Sequence, residues 1–317
     1  MQKRGLTAAG TQRWYCRLCH ASAVQKRPDT QARHHRTLFN LWLTGNRSLT
    51  EISQAQGVTR RTLIRWFNPF WTQPESSTPP PPSPTAIYIL DGVYLSGREN
   101  AALICRTVAG HLSWQFAQRE TRANWLTFLT SLPPPDAVVT DGQKGLLLAI
   151  KQLWPEVNIQ RCVIHIERLA KIKLTRCPKT CAGKELLSLV QRVLQVRTQR
   201  QRSRWLCVYR RWERRHAEFL KQRTERESPV ENQRKWWYTH RNLRAARSLI
   251  RHALPHLFTF IQHPHIPRTT NHVEGGVNSR LKELLHRHRG LNHDRKQGLV
   301  AEFLAKKEGQ KPPRNVA

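Results

Sequence analysis

No stretch of this chain is apolar for the roughly 20 residues that a membrane-spanning helix needs, and its polar start, MQKRGLTAAG, lacks the apolar core of a secretory signal. Both absences predict a cytoplasmic protein with no membrane partner of its own. Acidic side chains are scarce as well: 21 Asp and Glu stand against 54 Lys and Arg, for a formal net charge of +33 over 317 residues. Such an excess speaks to partners rather than to fold, and it fits a polyanion, either a nucleic acid or a membrane surface. A disulfide framework is missing too, because seven cysteines, an odd number in a chain without an export signal, read as free thiols and metal ligands. The length allows two or three domains with a real core in at least one of them.

Against that scarcity of acids, one stands out by its setting. In AIYILDGVYL, from Ala86 to Leu95, Asp91 interrupts a run that is apolar on both faces, which is the pattern of a central strand in a covered sheet. A carboxylate is costly there, so Asp91 must be paired, protonated, or turned toward a metal or a water-filled cleft. A second strand-like run, Ala137-Val138-Val139-Thr140, delivers Asp141 at its C-terminal end, where open α/β sheets place their ligand sites. A third acid, Glu274, lies far downstream in TTNHVEGGVNSRLKELLHRHRGL. The glycine pair beside it is expensive in a helix and predicts a backbone that must come close to something. Asn271 and Asn278 flank Glu274 and can orient it or contact DNA.

The remaining segments divide by composition. Residues 1–33 contain GTQRWYCRLCH, where Cys16 and Cys19 have the spacing of half a tetrahedral zinc site. The other half is not nearby, so the pair is either an incomplete Zn2+ site or two free thiols; His20, His34 or His35 could complete it. Residues 34–73 are helical in pattern, and SLTEISQAQGVTRRTLIRWF has the periodicity of a helix-turn-helix, with Gly57 in the turn and Thr59 capping the second helix. Arg60, Arg61, Thr62 and Arg65 are then candidates for DNA contact; the alternative is an ordinary helical hairpin with a solvated basic face. Residues 74–85 form a proline-rich linker, PESSTPPPPSP, that favours extended chain.

After the linker, residues 86–170 read as three strands joined by turns at Ser96-Gly97 and Gly110, a helix capped by Thr121, the Asp141 strand, a helix, and a strand running from Asn158 to His165. Cys162 and His165, in CxxH spacing, can bind zinc, activate a nucleophile or pack a strand end. Residues 171–266 repeat Trp205, Val208, Tyr209, Trp212, His216 and Phe219, and again Trp236, His240, Leu243, Ile250 and Leu257, at helical spacing among many arginines, so this segment is predicted to be an all-helical basic insertion whose tryptophans fill its core. Residues 267–300 hold the Glu274 helix and 301–317 a basic tail.

The order βββαβαβα, with one Asp in the first strand and another just after the fourth, resembles the ribonuclease H-like fold of DDE transposases and integrases. DGVYL, VVTDG, the CxxH run and TTNHVEGGVNSRLKELLHRHRGL, in that order, resemble the Mutator-type transposases of bacterial insertion sequences. The CxxC segment is similar to the later half of a zinc ribbon, whose earlier half would precede Met1 in a longer N-terminus. The resemblance implies an α/β ribonuclease H-like core with an all-α insertion, preceded by a helix-turn-helix and a partial zinc ribbon. It implies Asp91, Asp141 and Glu274 as catalytic ligands of two Mg2+ (or Mn2+) ions, with His165 a neighbour of the site and Cys162 structural. It also implies DNA as partner, both the terminal inverted repeats of the element and the target, a homo-oligomer assembled on that DNA, and a bacterial, nucleoid-associated location. A ribonuclease H-like nuclease or resolvase, and an inactive helix-turn-helix DNA-binding protein derived from a transposase, are the alternatives.

Overall fold

The computed structural model describes residues 1–8, 10–24, 28–71, 83, 85–97, 99–226, 235–270 and 277–307. The chain separates into two compact units: Met1–Glu75 with Glu283–Phe303, and Ser76–Lys282 with Leu304–Ala317.

The first unit begins with a small antiparallel sheet of β1 (Gln2–Leu6), β2 (Gln12–Tyr15) and β3 (Ser22–Val24), in which β2 is central and most residues are exposed. Three helices follow, α1 (Pro28–Leu43), α2 (Leu49–Gln56) and α3 (Arg60–Phe67). Ser48 caps α2 in a reciprocal box with Glu51, Gly57 ends it in the left-handed conformation at φ 62°, and the Thr59 hydroxyl accepts from the Thr62 N–H at 3.2 Å to open α3. These local signals are strong because each satisfies backbone groups that a helix end leaves open. Phe39, Ile52, Leu63 and Phe67 are buried between the helices, and Trp42 stacks on Phe67 with ring centroids 5.6 Å apart.

The second unit is built on a five-stranded mixed sheet. Its strands are β4 (Ile87–Ser96), β5 (Glu99–Thr107), β6 (Leu112–Ala117), β7 (Ala137–Thr140) and β8 (Asn158–Arg161), in the order β6-β5-β4-β7-β8. The first three are antiparallel neighbours, whereas β4, β7 and β8 run parallel. Parallel pairing needs crossovers, and α4 (Arg122–Thr130) and α5 (Lys144–Leu153) supply them. Trp125, Phe128 and Leu129 of α4 and Leu146, Ala149 and Ile150 of α5 pack on Tyr88, Leu90, Leu103 and Val138. Alternation along β4 therefore commits Tyr88 and Leu90 to that core and turns Asp91 to the opposite face.

The last core strand is shorter than its apolar pattern predicts. β8 stops at Arg161, and Val163 already begins α6 (Val163–Leu174), so Cys162 and His165 sit at the opening of a helix and not at the end of a strand. Three-residue spacing then places both side chains on one helical face.

Helices α7 (Cys181–Val193), α8 (Gln199–Arg215), α9 (Ala217–Lys221), α10 (Arg241–Ala253) and α11 (Thr259–Gln262) form a second apolar core with α6. Trp205, Tyr209 and Trp212 are stacked along one face of α8, and each indole N–H is satisfied by a backbone carbonyl, Leu189 at 2.9 Å and Ala182 at 3.0 Å. The core role expected for these rings is borne out. The expectation of an all-helical insertion is not: β9 (Arg223–Glu225) and β10 (Trp236–Tyr238) form an antiparallel ribbon within it. Three consecutive aromatics cannot share one stripe of a helix, whereas an extended strand accommodates them on alternating faces. Finally, Val277 and Asn278 form a π-type turn into α12 (Ser279–Arg287), and α13 (His293–Lys307) follows.

Trp212 is 2% exposed and anchors α8 to α7 through its indole. Trp212→Ala is expected to lower unfolding stability by about 3–5 kcal/mol, the range for truncating a large buried aromatic, read as a fall in the urea midpoint.

Candidate active site at the centre of the mixed sheet

Leu90 pairs with Thr140 across the parallel β4–β7 ladder, so the next residue on each strand, Asp91 and Asp141, emerges at the same level of the sheet. Asp91 is only 8% exposed. Its Oδ1 accepts from the N–H of Gly92 at 3.0 Å and its Oδ2 from Nδ2 of Asn278 at 2.5 Å. Burial, followed by the nearby Asp141 charge, pushes the Asp91 carboxyl up to about 6, while His165 and Lys282 pull the other way. Asn278 is itself 1% exposed, and its Oδ1 has no hydrogen-bond partner among the described residues. A buried amide oxygen without a donor costs about 1–3 kcal/mol, so this carbonyl beside Asp91 is suited to a cation or a water.

Asp141 is held by its own loop. Its Oδ1 accepts from the Gln143 N–H at 2.9 Å and from the Thr140 hydroxyl at 3.3 Å. Arg161 braces the backbone, donating from Nε and Nη2 to the Asp141 carbonyl at 3.1 and 2.8 Å. The guanidinium occupies the space that a side chain at position 142 would need, and Gly142 has φ +83°, so glycine is required there on two counts.

The structure adds an acid that the sequence pattern did not single out. Glu120 lies between β6 and the Thr121 cap of α4, half-buried, with its carboxylate over Gly92 where any β-carbon at that position would collide. Burial, then Asp141 and Asp91, raise it to about 7. Gln143 ties it to the same loop by donating from Nε2 to the Glu120 carbonyl at 2.6 Å. The available signal was the glycine inside a strand, which marks a close approach without naming what approaches.

Cys162 and His165 also reach this region. Thr270 donates to the Cys162 sulfur from both its N–H and its hydroxyl at 3.4 Å, and its Oγ1 lies 3.3 Å from His165 Nδ1. Burial pushes the Cys162 thiol up, but the hydrogen bond and charge of His165, with help from Thr270, outweigh it and leave the thiol below its ordinary value. Cys162 is completely buried, and His165 is close enough to Asp91 to influence it electrostatically. Glu274 and Asn271 lie outside the described residues. Among the described residues, no group of three or more His, Cys, Asp or Glu is arranged to hold a metal ion.

In the first unit, Arg60, Arg61 and Arg65 are exposed on α3 and Thr62 is half-buried; Arg61 and Arg65 lie on the side away from Leu63 and Phe67, whereas Arg60, three residues before Leu63, opens the helix on their side. Cys16 and Cys19 lie in the turn after β2; N–H groups of Cys19 and Leu18 and the Cys19 thiol hold the Cys16 thiol below its usual range. Both thiols are free.

Comparison with known proteins covers part of this architecture. Residues 106–192 match the family described as "Transposase, Mutator family". The chain is 33% identical over 109 residues to the transposase for insertion sequence element IS905 of Lactococcus lactis, which covers 30% of this chain and 28% of that protein. It is also 33% identical over 109 residues to the transposase for insertion sequence element ISRM5 of Rhizobium meliloti, covering 29% and 27%. The alignments thus span under a third of each relative. The matched segment contains Asp141, Cys162 and His165, and it bears out the resemblance read from the motifs.

Because folding raises the Asp91 carboxyl from an ordinary 3.8 to about 6, the folded chain keeps a proton there that the unfolded chain has already released. The Asp91 contribution to stability is therefore expected to fall as pH rises from about 4 to about 6 and to level off above that, while Glu120, raised from 4.5 to about 7, extends the decline in total stability to about pH 7. In metal-free buffer at pH 7, Asp91→Asn should recover on the order of 1–3 kcal/mol of unfolding free energy, and denaturant titrations of the two proteins at pH 4 and pH 7 should converge at the lower pH.

Proposed function

Proceeding from a chain that is Mutator-type over its matched core, we propose that it is a DNA transposase that binds the ends of its insertion sequence and catalyses strand cleavage and strand transfer. The observation that carries this reading is the parallel β4–β7 pairing, which sets Asp91 beside Asp141 within a sheet whose flank, residues 106–192, matches the Mutator family. The strand order β6-β5-β4-β7-β8, antiparallel on one side of β4 and parallel on the other, supports a ribonuclease H-like core.

The donor set suits a hard divalent cation: two adjacent carboxylates and an unpartnered buried amide oxygen, all oxygen ligands. Asp91 and Asp141 would hold such an ion together with Glu274, the acid that the resemblance assigns. Bound magnesium ions would supply an activated hydroxyl and charge stabilisation on the leaving oxygen, as two-metal sites about 3.5–4 Å apart do. The protein's own work is to keep the carboxylates in place. Arg161 and Gln143 fix the Asp141 loop, and Asn278 orients Asp91. No side-chain nucleophile is needed, so the Cys162–Thr270–His165 contacts serve to position the start of α6 beside the acids. The exposed arginines of α3 would contact the element's ends, and the excess of 33 positive charges would supply sequence-independent attraction to phosphate.

Asp91→Asn, Asp141→Asn and Glu274→Gln are each expected to reduce cleavage at least a hundredfold in magnesium while leaving DNA binding intact. Supplied with DNA carrying the element's own ends, the wild-type chain should join strands. Cutting without joining would identify a nuclease or resolvase, and binding without either would identify a regulator.

Replacing Arg60, Arg61 and Arg65 together by alanine is expected to remove the preference for the element's ends while keeping affinity for unrelated duplex. Wild-type binding to unrelated duplex should weaken steeply with salt, with a log–log slope of about −0.9 per neutralised phosphate. Equal loss for both DNAs in the triple variant would place end recognition elsewhere.

A further inference from the structure

The insertion uses its aromatic residues in two different ways. Trp205, Tyr209 and Trp212 are buried at 5% exposure or less, in a core that also includes Trp205 against Phe258. Trp236, Trp237 and Tyr238 belong neither to that core nor to the partly buried side chains packed on it. They stand on the two-stranded ribbon, with Trp236 37% exposed.

Register explains what the ribbon presents. Trp236 pairs with Glu225, Trp237 with Thr224 and Tyr238 with Arg223, so Trp236, Tyr238 and Arg223 share one face and Trp237 the other. Trp236 and Tyr238 meet edge to face with centroids 5.2 Å apart. Cations frame every ring: the Arg223 guanidinium lies 3.9 Å from the Trp236 centroid, Arg244 lies 3.5 Å from that of Tyr238, and Arg241 lies 5.9 Å from that of Trp237. An open cavity of about 600 Å³ adjoins the three rings and is lined as well by Arg226, Lys235 and Arg241. That size falls in the range of small-ligand clefts, about 300–1,000 Å³.

Aromatic faces interleaved with arginine and lysine suit one class of partner. A nucleobase has a flat face that stacks on an indole and a phosphate that pairs with a guanidinium, and the two recur together along a single strand. Duplex nucleic acid withholds its base faces, so it can use only the charges. We propose that the β9–β10 ribbon is a stacking platform for single-stranded nucleic acid, with Trp236 as the principal stacking surface and Arg223, Arg241 and Lys235 on the phosphates. This site is separate from the carboxylates and does not require that the chain be catalytically active.

The test uses the full chain in chelator, so that no cleavage occurs, and measures anisotropy of a labelled oligo(dT) and of a duplex of the same length. Trp236→Ala and Trp236→Leu are each expected to weaken oligo(dT) binding about tenfold, as removal of one stacked base does, with duplex binding and thermal unfolding unchanged. Trp236→Phe should stay within about threefold of wild type, since an aromatic face remains. An oligo(U) of the same length separates the two sources of single strand: loss with both is expected of stacking alone, and loss with only one identifies the natural ligand as DNA or RNA. Wild-type oligo(dT) and oligo(U) affinity in Trp236→Ala, or equal proportional loss for single strand and duplex, would overturn the proposal. Should Trp236→Ala unfold at lower temperature, the comparison of Leu with Phe decides, because both keep apolar bulk and only one keeps a ring; equal affinity in those two would also overturn it.

Discussion

The buried carboxylate of Asp91 in the central strand is the constraint on which the rest of the second unit depends. A charge at that position is opposed by desolvation and by Asp141 one strand away, and the fold compensates only in part. The Gly92 N–H and the Asn278 amide satisfy its two oxygens, but neither brings a formal charge. His165 and Lys282 offset the field at longer range. The outcome is a site strained toward neutrality, which an oxygen-seeking cation would relieve. Destabilisation of this kind is tolerated where function requires it, since a hydrophobic residue at position 91 would pack the strand without cost.

Holding two acids side by side also dictates topology. Asp91 and Asp141 are 50 residues apart in sequence, and parallel pairing of their strands needs a crossover long enough to hold β5, β6 and α4. The crossover contributes more than connection. It delivers Glu120 over Gly92, and Gln143, just after β7, reaches both Glu120 and Asp141, so that the loops at this end of the sheet are bound to one another. Arg161, arriving on the next strand, locks the Asp141 carbonyl through the gap left by Gly142. Each of these contacts acts on backbone or on a short side chain, which is how a loop end can be made as rigid as the strands it joins.

Much of this was legible in the residues. The Asp91 strand, its three-strand meander, the Thr121 and Thr59 caps and the Gly57 turn are all visible because local chemistry and the core demand the same thing. Three features were not. Glu120 is an ordinary polar residue in its local sequence, RETRANW, and only the fold brings it to Gly92. The strand expected to run to His165 ends at Arg161, because an apolar run of Cys162, Val163, Ile164 and Ile166 suits a buried helix as well as a buried strand. Asn278, expected to orient Glu274 or to meet DNA, has a bond to Asp91 as well, a partner 187 positions away that no periodicity can identify.

A fourth miss, the aromatic ribbon outside that core, shows what periodicity can and cannot separate. Trp205, Tyr209 and Trp212 recur at four- and three-residue steps, so a helix gathers them onto one stripe and buries them together. Trp236, followed by His240 and Leu243, has the same steps, but Trp237 and Tyr238 stand between them. In a helix those two would face other directions, and one of them would be driven into water at the cost of its apolar area. The extended ribbon avoids the choice by dividing the rings between two faces, and the neighbouring arginines cover what the small ribbon cannot. What separates core from surface in this insertion is therefore the residues between the periodic positions, and those are the ones a search for a repeating stripe passes over.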